Sequence, residues 1–431
     1  MKTKSSTLAR GLLAMALAGT TASAAAFEAD RYIGGDWGGG RAKLAEAGIE
    51  FKLGHFSQTA HNTSGGQRSR VAYADQFFLG GYFDLGKLWG WQGAEFKLEI
   101  TNRNGELIND VAGVPFLLQS QQIFGRGNVT RLTQFSVTQH LLDYRLSIKA
   151  GRIYPSADFF AMSCAFQHLT FCSGGSSNFI SSRWFGDPLS AWGGQVTFRP
   201  SKRLHLKLGG YDTNPGALSK RQGLKLGTSG DSGGTLVVAE IEYRPDYGND
   251  LDGAYRLGVV RNSSDLPKVF DTAGLPAETG GNSVQLQDSE RAFYVNLEQQ
   301  ITHNDFGGGW RLFASLIRAD QNVNQVAEVA AIGAYLDAPF PSRPRDRLGL
   351  AVGRNAVSDK LKRAQRLHNR VLSAGSAPIG VQSYEYPIEV NYSIAVANGI
   401  AVMPSLQHVR RPAGLDVSGA TIVGLQIGLD F

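Results

Sequence analysis

The feature that most constrains this chain is a beat in its hydrophobic pattern. The last eleven residues, TIVGLQIGLDF, alternate strictly: Val423, Leu425, Ile427, Leu429 and Phe431 share one parity, and Gly424, Gln426, Gly428 and Asp430 the other. Side chains along a strand point to opposite faces with a period of two, so such a segment has one apolar face and one small or polar face. Similar segments recur throughout: 48–56, 93–101, 146–151, 195–199, 204–210, 236–243, 254–260, 292–301, 310–316, 347–353, 384–396 and 400–409. Weaker ones lie at 76–84, 132–140, 191–194 (running into 195–199) and 326–334. The total is about sixteen strands, within the range of outer-membrane barrels.

Alternation alone fits a soluble sandwich as well as a membrane barrel, because the two differ only in which face meets water. The connections decide between them. Long gaps follow the odd strands (58–75, 102–131, 152–190, 212–234, 262–290, 355–383), and short ones follow the even strands (85–92, 141–144, 200–203, 244–254, 302–309, 397–399). The gaps near 319–325 and 410–420 are shorter than the beat requires. Long loops on one side and tight turns on the other are the signature of an outer-membrane barrel, and closure removes the edges that so long a β chain would otherwise expose. Trp89, Trp91, Tyr211, Tyr243 and Phe431 sit at predicted strand ends, where aromatic girdles meet lipid headgroups.

Residues 1–26 carry Lys2, Lys4 and Arg10, then the short apolar run GLLAMALAG and small-residue cleavage sites. This reads as an export signal, with 27–431 as the mature barrel and 27–47 as a periplasmic segment before the first strand. The formal charge is +6, and the signal supplies three of those positive charges. That mild excess in an exported chain argues against nucleic acid as a partner. The two cysteines, Cys164 and Cys172, are expected to form a disulfide in an oxidising compartment.

Three stretches together resemble the carbohydrate-selective porin family (porin B type): DWGGGRAKLAEAGIEFKL (36–53), GRIYPSADFF with CAFQHLTFC (151–172), and YEYPIEVNYSIAVANGIAVMPSLQHVRRPAG (384–414) before the final strand. They span nearly the whole mature chain. The resemblance implies an all-β, transmembrane antiparallel barrel in the bacterial outer membrane that passes glucose and related sugars passively. It implies a largely monomeric channel, a trimer being the other oligomeric state open, with no enzyme activity and no cofactor. By analogy with general porins, the third loop, 152–190, folds inward and narrows the channel. An anion-preferring or general porin is the alternative. An outer-membrane barrel enzyme is less favoured, and so is an adhesin with a plugged barrel, because no plug-sized segment precedes the first strand.

A sugar offers hydroxyl pairs to carboxylates, amides and guanidinium forks, and apolar C–H faces to aromatic rings. Arg152, Asp158, Asn178, Arg183 and Trp184 of the third loop, with the lumen-facing Glu95, Lys97, Glu99, Arg103 and Arg199, are therefore the expected pore lining. The basic stretch DKLKRAQRLHNR (359–370) stands apart from the family pattern. It is expected to form a short amphipathic helix or a solvated loop, and as a helix it could hold lipopolysaccharide phosphates or draw anions to the mouth. GDSGG (230–234) matches a serine-protease signature by chance, without the strand context or the histidine and acid that a nucleophile needs. No histidine or cysteine spacing suggests a metal site.

Overall fold

A computed structural model describes residues 29–172, 176–227, 230, 233–245, 247 and 251–431. The expected export signal and Ser232 of GDSGG lie outside the described residues. The barrel strands are β1 (Ile49–Ser64), β2 (Val71–Asp84), β3 (Ala94–Gly105), β4 (Val129–Leu141), β5 (Leu146–Ile153), β6 (Ala191–Phe198), β7 (Leu204–Asp212), β8 (Thr235–Tyr243) and β9 (Gly253–Asn262). They continue with β12 (Glu290–Gln300), β13 (Gly309–Arg318), β14 (Val326–Asp337), β15 (Arg347–Val357), β16 (Tyr384–Ala397), β17 (Ile400–Arg410) and β18 (Ala420–Asp430). Two further strands, β10 (Leu266–Asp271) and β11 (Val284–Gln287), form a separate ribbon in the loop between β9 and β12. Every barrel strand is antiparallel to its neighbours, and β1 pairs with β18 to close the sheet, with Gly54 opposite Asp430 and His61 opposite Val423. Closure leaves no strand edge unpaired.

The two faces are inverted relative to a soluble protein. On β18, Val423 and Leu425 are exposed, whereas Gly424 and Gln426 are buried. On β7, Leu206 and Leu208 are exposed, whereas His205 is buried. The apolar parity therefore forms the outer wall, and polar side chains fill the interior. This arrangement is stable in hydrocarbon and would be a large exposed apolar patch in water. Trp89, Trp91 and Tyr243 are exposed near the short-turn rim, as girdle residues should be. Tyr211 is not: it has the inward parity of β7, is buried, and packs edge-on against Phe159.

The loop beat holds with one correction. Strands β1 and β2 extend far enough that their connection is only 65–70, so most of the expected loop 58–75 is strand. The basic stretch is helical over Asp359–Val371, with Ser358 capping its N-terminus and Leu361, Ala364 and Gln365 buried beneath it.

At the short-turn rim, the WGG-x-R motif docks the start of the barrel domain onto its end. Arg41 lies over the rings of Tyr32 (3.9 Å) and Trp37 (4.2 Å) and donates to the main-chain oxygen of Phe431. The Ile33 amide donates to Asp430 O at 2.8 Å. Gly38 and Gly39 take positive φ there (65° and 92°), a conformation that glycine reaches without steric cost.

Candidate pore constriction

Two long loops occupy the barrel interior: L2 (106–128), after β3, and L3 (154–190), after β5. Both are held by polar groups of the wall that point inward. L3 begins on β5, where Lys149 Nζ binds both carboxylate oxygens of Asp158 at 2.7 and 2.8 Å. Its main chain then meets one wall carboxylate after another. The Phe160 amide donates to Glu240 on β8 (2.8 Å), and the Ser163 hydroxyl to Glu298 on β12 (2.8 Å). The Gln167 and His168 amides donate to the two oxygens of Glu389 on β16 (2.8 and 2.7 Å). Further on, Ser181 donates to Glu290 on β12.

The alternation in β8 and β16 produces these seats directly, because each glutamate lies on the inward parity among outward Val, Ile and Tyr side chains. L2 is seated the same way, with the Leu117 amide on Glu385 (2.8 Å) and Gln121 on the Gln58 carbonyl (2.9 Å). Buried amide N–H groups left without such acceptors would each cost about 1–3 kcal/mol.

Packed apolar side chains fill the space behind the loop. Phe159, Phe160, Ile180 and Trp184 of L3 form a buried cluster with Ile153, Tyr211, Leu236 and Tyr294 of the wall. His168 is also fully buried; its Nδ1 accepts from the Thr170 amide, and burial holds its pKa down to about 3, so the ring is neutral. Cys164 and Cys172 are bridged, as expected, with Cα atoms 4.4 Å apart. The bridge closes the turn that carries Gln167 and His168.

Opposite this packed side, the β3 wall faces L3 across a charged seam. Arg103 on β3 donates to Gln76 (2.6 Å), to the Gly125 carbonyl of L2 (3.2 Å) and to Asp187 of L3. It thus joins wall, L2 and L3. Lys97 and Glu99 lie on the same inward face, 3.8 Å apart and about one-seventh exposed. Glu95 lies nearer the short-turn rim, paired with His140 at 3.2 Å. Lys149 of β5 and Asp158 of L3 complete the seam. These alternating charges hold one another in place; the Lys97 ammonium nitrogen and the Arg103 side chain are themselves buried, so the partial exposure is left to the carboxylates Glu99, Asp158 and Asp187.

Five of the expected lining residues, Glu95, Lys97, Glu99, Arg103 and Asp158, are therefore brought to one seam. The others are placed elsewhere. Arg152 has the outward parity of β5; its guanidinium is spent on the carbonyls of Lys225 (3.0 Å), Leu226 (3.1 Å) and Ser190 (2.8 Å), so it braces the outer end of the wall. Trp184 is fully buried in the core beneath L3, edge-on to Tyr294, and has no face for a sugar. Arg199 lies in the short-turn rim, donating to Tyr144 O (3.0 Å) and Ser147 Oγ (2.7 Å).

Asn178 lines a cavity of about 460 Å³ between L2, L3 and the loops at the long-loop rim, with Phe116, Phe179, Asn324 and Gln382. Arg183 is half-buried in L3 and makes no ion pair among the described residues. Sequence reasoning missed Lys149, whose inward parity on β5 was readable, and Asp187, whose role depends on where L3 lands.

The comparisons with known proteins agree with this geometry. The family model described as "Carbohydrate-selective porin, OprB family" matches residues 68–431. Porin B of Pseudomonas aeruginosa is 35% identical over 97% of this chain and 96% of its own length. The high-pH structure of Pseudomonas putida OprB is 31% identical, covering 94% of this chain and all of that one, with a TM-score of 0.88. The low-pH structure of the same protein shares the fold at a TM-score of 0.59.

Proposed function

The chain belongs to the OprB family of carbohydrate-selective porins, forming an outer-membrane channel for carbohydrates, and on that premise we propose where the sugar is selected. The selecting passage is the seam between the β3 wall and L3. Glu99, Asp158 and Asp187 offer acceptor oxygens there, Lys97 and Arg103 stand behind them as buried counter-charges, and Lys149 holds Asp158 in position. The observation that carries this reading is the pair of ion bridges, Lys149 to Asp158 and Arg103 to Asp187, that fix L3 against the wall beside Lys97 and Glu99. Charges already satisfied by one another bind a neutral hydroxyl pair weakly, and passage requires weak binding because a tightly held sugar would block its own path. No step in such transport calls for a cofactor or an energy source. A barrel of this family works as a channel rather than an enzyme, and family membership supports a monomer, which sedimentation in detergent tests.

The deciding experiment is single-channel conductance of the refolded mature protein in a planar bilayer, titrated with glucose. Saturable loss of current in the wild type, with the half-blocking concentration raised several-fold in Lys97→Gln and Glu99→Gln, is the expected result. Conductance indifferent to glucose, with reversal potentials that follow chloride, would replace this reading with an anion-preferring pore built on Lys97, Arg103 and Lys149.

A further inference from the structure

The outer wall carries a depression that the channel does not use. Across β12, β13, β14 and β15 the outward side chains form an apolar groove of about 480 Å³ with Leu297, Leu316, Ile332 and Val352 as its sides and Ala314 and Ala330 as its floor. The register explains the shape. Ala314 lies opposite Leu297 and Ile332, and Ala330 lies opposite Leu316 and Arg354, so each small residue sits between bulky or long neighbours. An apolar groove in a lipid-facing wall has the chemistry of an acyl-chain seat, because the hydrocarbon core of the bilayer lies against it.

The groove ends in positive charge at the long-loop rim. Arg354 borders it, and Arg318 stands beside it on β13. Glu328, on β14 between them, accepts from Arg318 at 2.9 Å and from Arg354. Both guanidinium groups nonetheless remain about half exposed. Lys362, on the helix above, and Arg354 both lie over the Tyr384 ring, at 5.3 and 5.2 Å. On the other flank, Arg261 and Arg291 face each other across β9 and β12, exposed at the same rim. Glu328 is the one acid among these outward groups, so the cluster keeps a clear excess of positive charge just above the apolar band.

We infer that this wall binds a phosphorylated acyl lipid of the outer leaflet. One acyl chain lies along Ala314 and Ala330, and its phosphate is held by Arg318 and Arg354, which Glu328 keeps side by side. Guanidinium forks match phosphate oxygens in a bidentate manner, and at the headgroup boundary such pairs are only partly screened by water. Charge complementarity favours a lipid over a second copy of this chain. The outward rim positions of β9, β12, β13, β15 and β17 all carry arginine (Arg261, Arg291, Arg318, Arg354, Arg410), so copies meeting through this side would set cation against cation. The inference rests on the outward face being the membrane face; it does not depend on where sugar binds.

Native mass spectrometry of the full mature chain in detergent, titrated with bisphosphorylated lipid A, tests it. The expected result is a single lipid A adduct on the wild type, with Arg318→Ser/Arg354→Ser requiring at least tenfold more lipid for the same occupancy. Ala330→Leu keeps both charges and fills the groove, and should weaken the adduct as well. All three substituted positions face outward, so glucose-titrated conductance should be unchanged. That readout separates loss of the lipid site from loss of the channel. Equal lipid A occupancy in the wild type and both variants would overturn the assignment, as would equal retention of phosphatidylglycerol or a dimer that lipid A does not compete away.

Discussion

Replacing Glu389 by glutamine tests the seat of L3 at its deepest point. In the wild type, its two carboxyl oxygens accept from the Gln167 amide at 2.8 Å and the His168 amide at 2.7 Å, and Oε1 also accepts from Asn391 at 3.0 Å. Glutamine keeps one oxygen and turns the other position into an NH₂ donor, which would then face an N–H. One hydrogen bond is lost and one buried backbone donor is left without an acceptor. Together these cost about 2–3 kcal/mol. The barrel wall does not share the loss, since the strand pairing of β16 is unaltered.

The consequence is local opening of L3 around 164–172 while the barrel stays closed. Hydrogen exchange should therefore quicken about 30- to 150-fold at the Gln167 and His168 amides, one factor of ten for each 1.4 kcal/mol. Amides of β16 and β17 should keep their protection. In the same sample, single-channel records should show added open-channel noise as the loop samples positions off the wall. Unchanged exchange at Gln167 and His168 would refute the claim that the carboxylate holds the loop. Equal loss across the whole barrel would refute the separation of loop from wall.

Three further outcomes follow from other contacts. Cys164→Ser/Cys172→Ser should cost L3 about 2–3 kcal/mol in the loop-entropy relation, seen as faster exchange and protease cleavage within 164–172 without a change in barrel melting. Arg41→Ala removes two cation–π contacts and the bond to Phe431, and should cost about 1–2 kcal/mol. Urea unfolding in liposomes reads that loss, and unaltered Trp37 emission would argue against the stacking. In the turn between β14 and β15, burial alone would push the Asp346 carboxyl up. Hydrogen bonds from Arg343, Tyr392 and the Ala395 amide outweigh it and hold the carboxyl below its usual range. Its stabilising contribution is thus fully present above the ordinary carboxyl pKa of about 4 and is lost as pH falls through the depressed folded value. Exchange of the 338–346 turn should accelerate over that acid range in the wild type, and Asp346→Asn should flatten the dependence.

Much of this protein was legible in one dimension because a strand's side-chain period is two and lipid demands one consistent face. Alternation in GAEFKLEIT placed Glu95, Lys97, Glu99 and, farther along, Arg103 on the inner wall, and the loop beat set which rim is which. The helix at 359–371 was one of two readings that its leucines among cations allowed, and the structure selects it over a solvated loop. Local patterning could not tell where a loop lands. Trp184 reads as a stacking platform but is buried, because L3 turns its apolar side to the wall of β8 and β12. Arg152 reads as a pore arginine, yet it falls on the outward parity at the end of β5. Asp187 carries no local signal, and it reaches Arg103 only because L3 crosses the lumen. Parity and spacing travel with the chain, so the sequence by itself determined the barrel, its faces and its rims. Contacts between residues far apart in sequence exist only once the sheet has closed, so tertiary structure alone decided how L2 and L3 are seated and which charges meet at the seam.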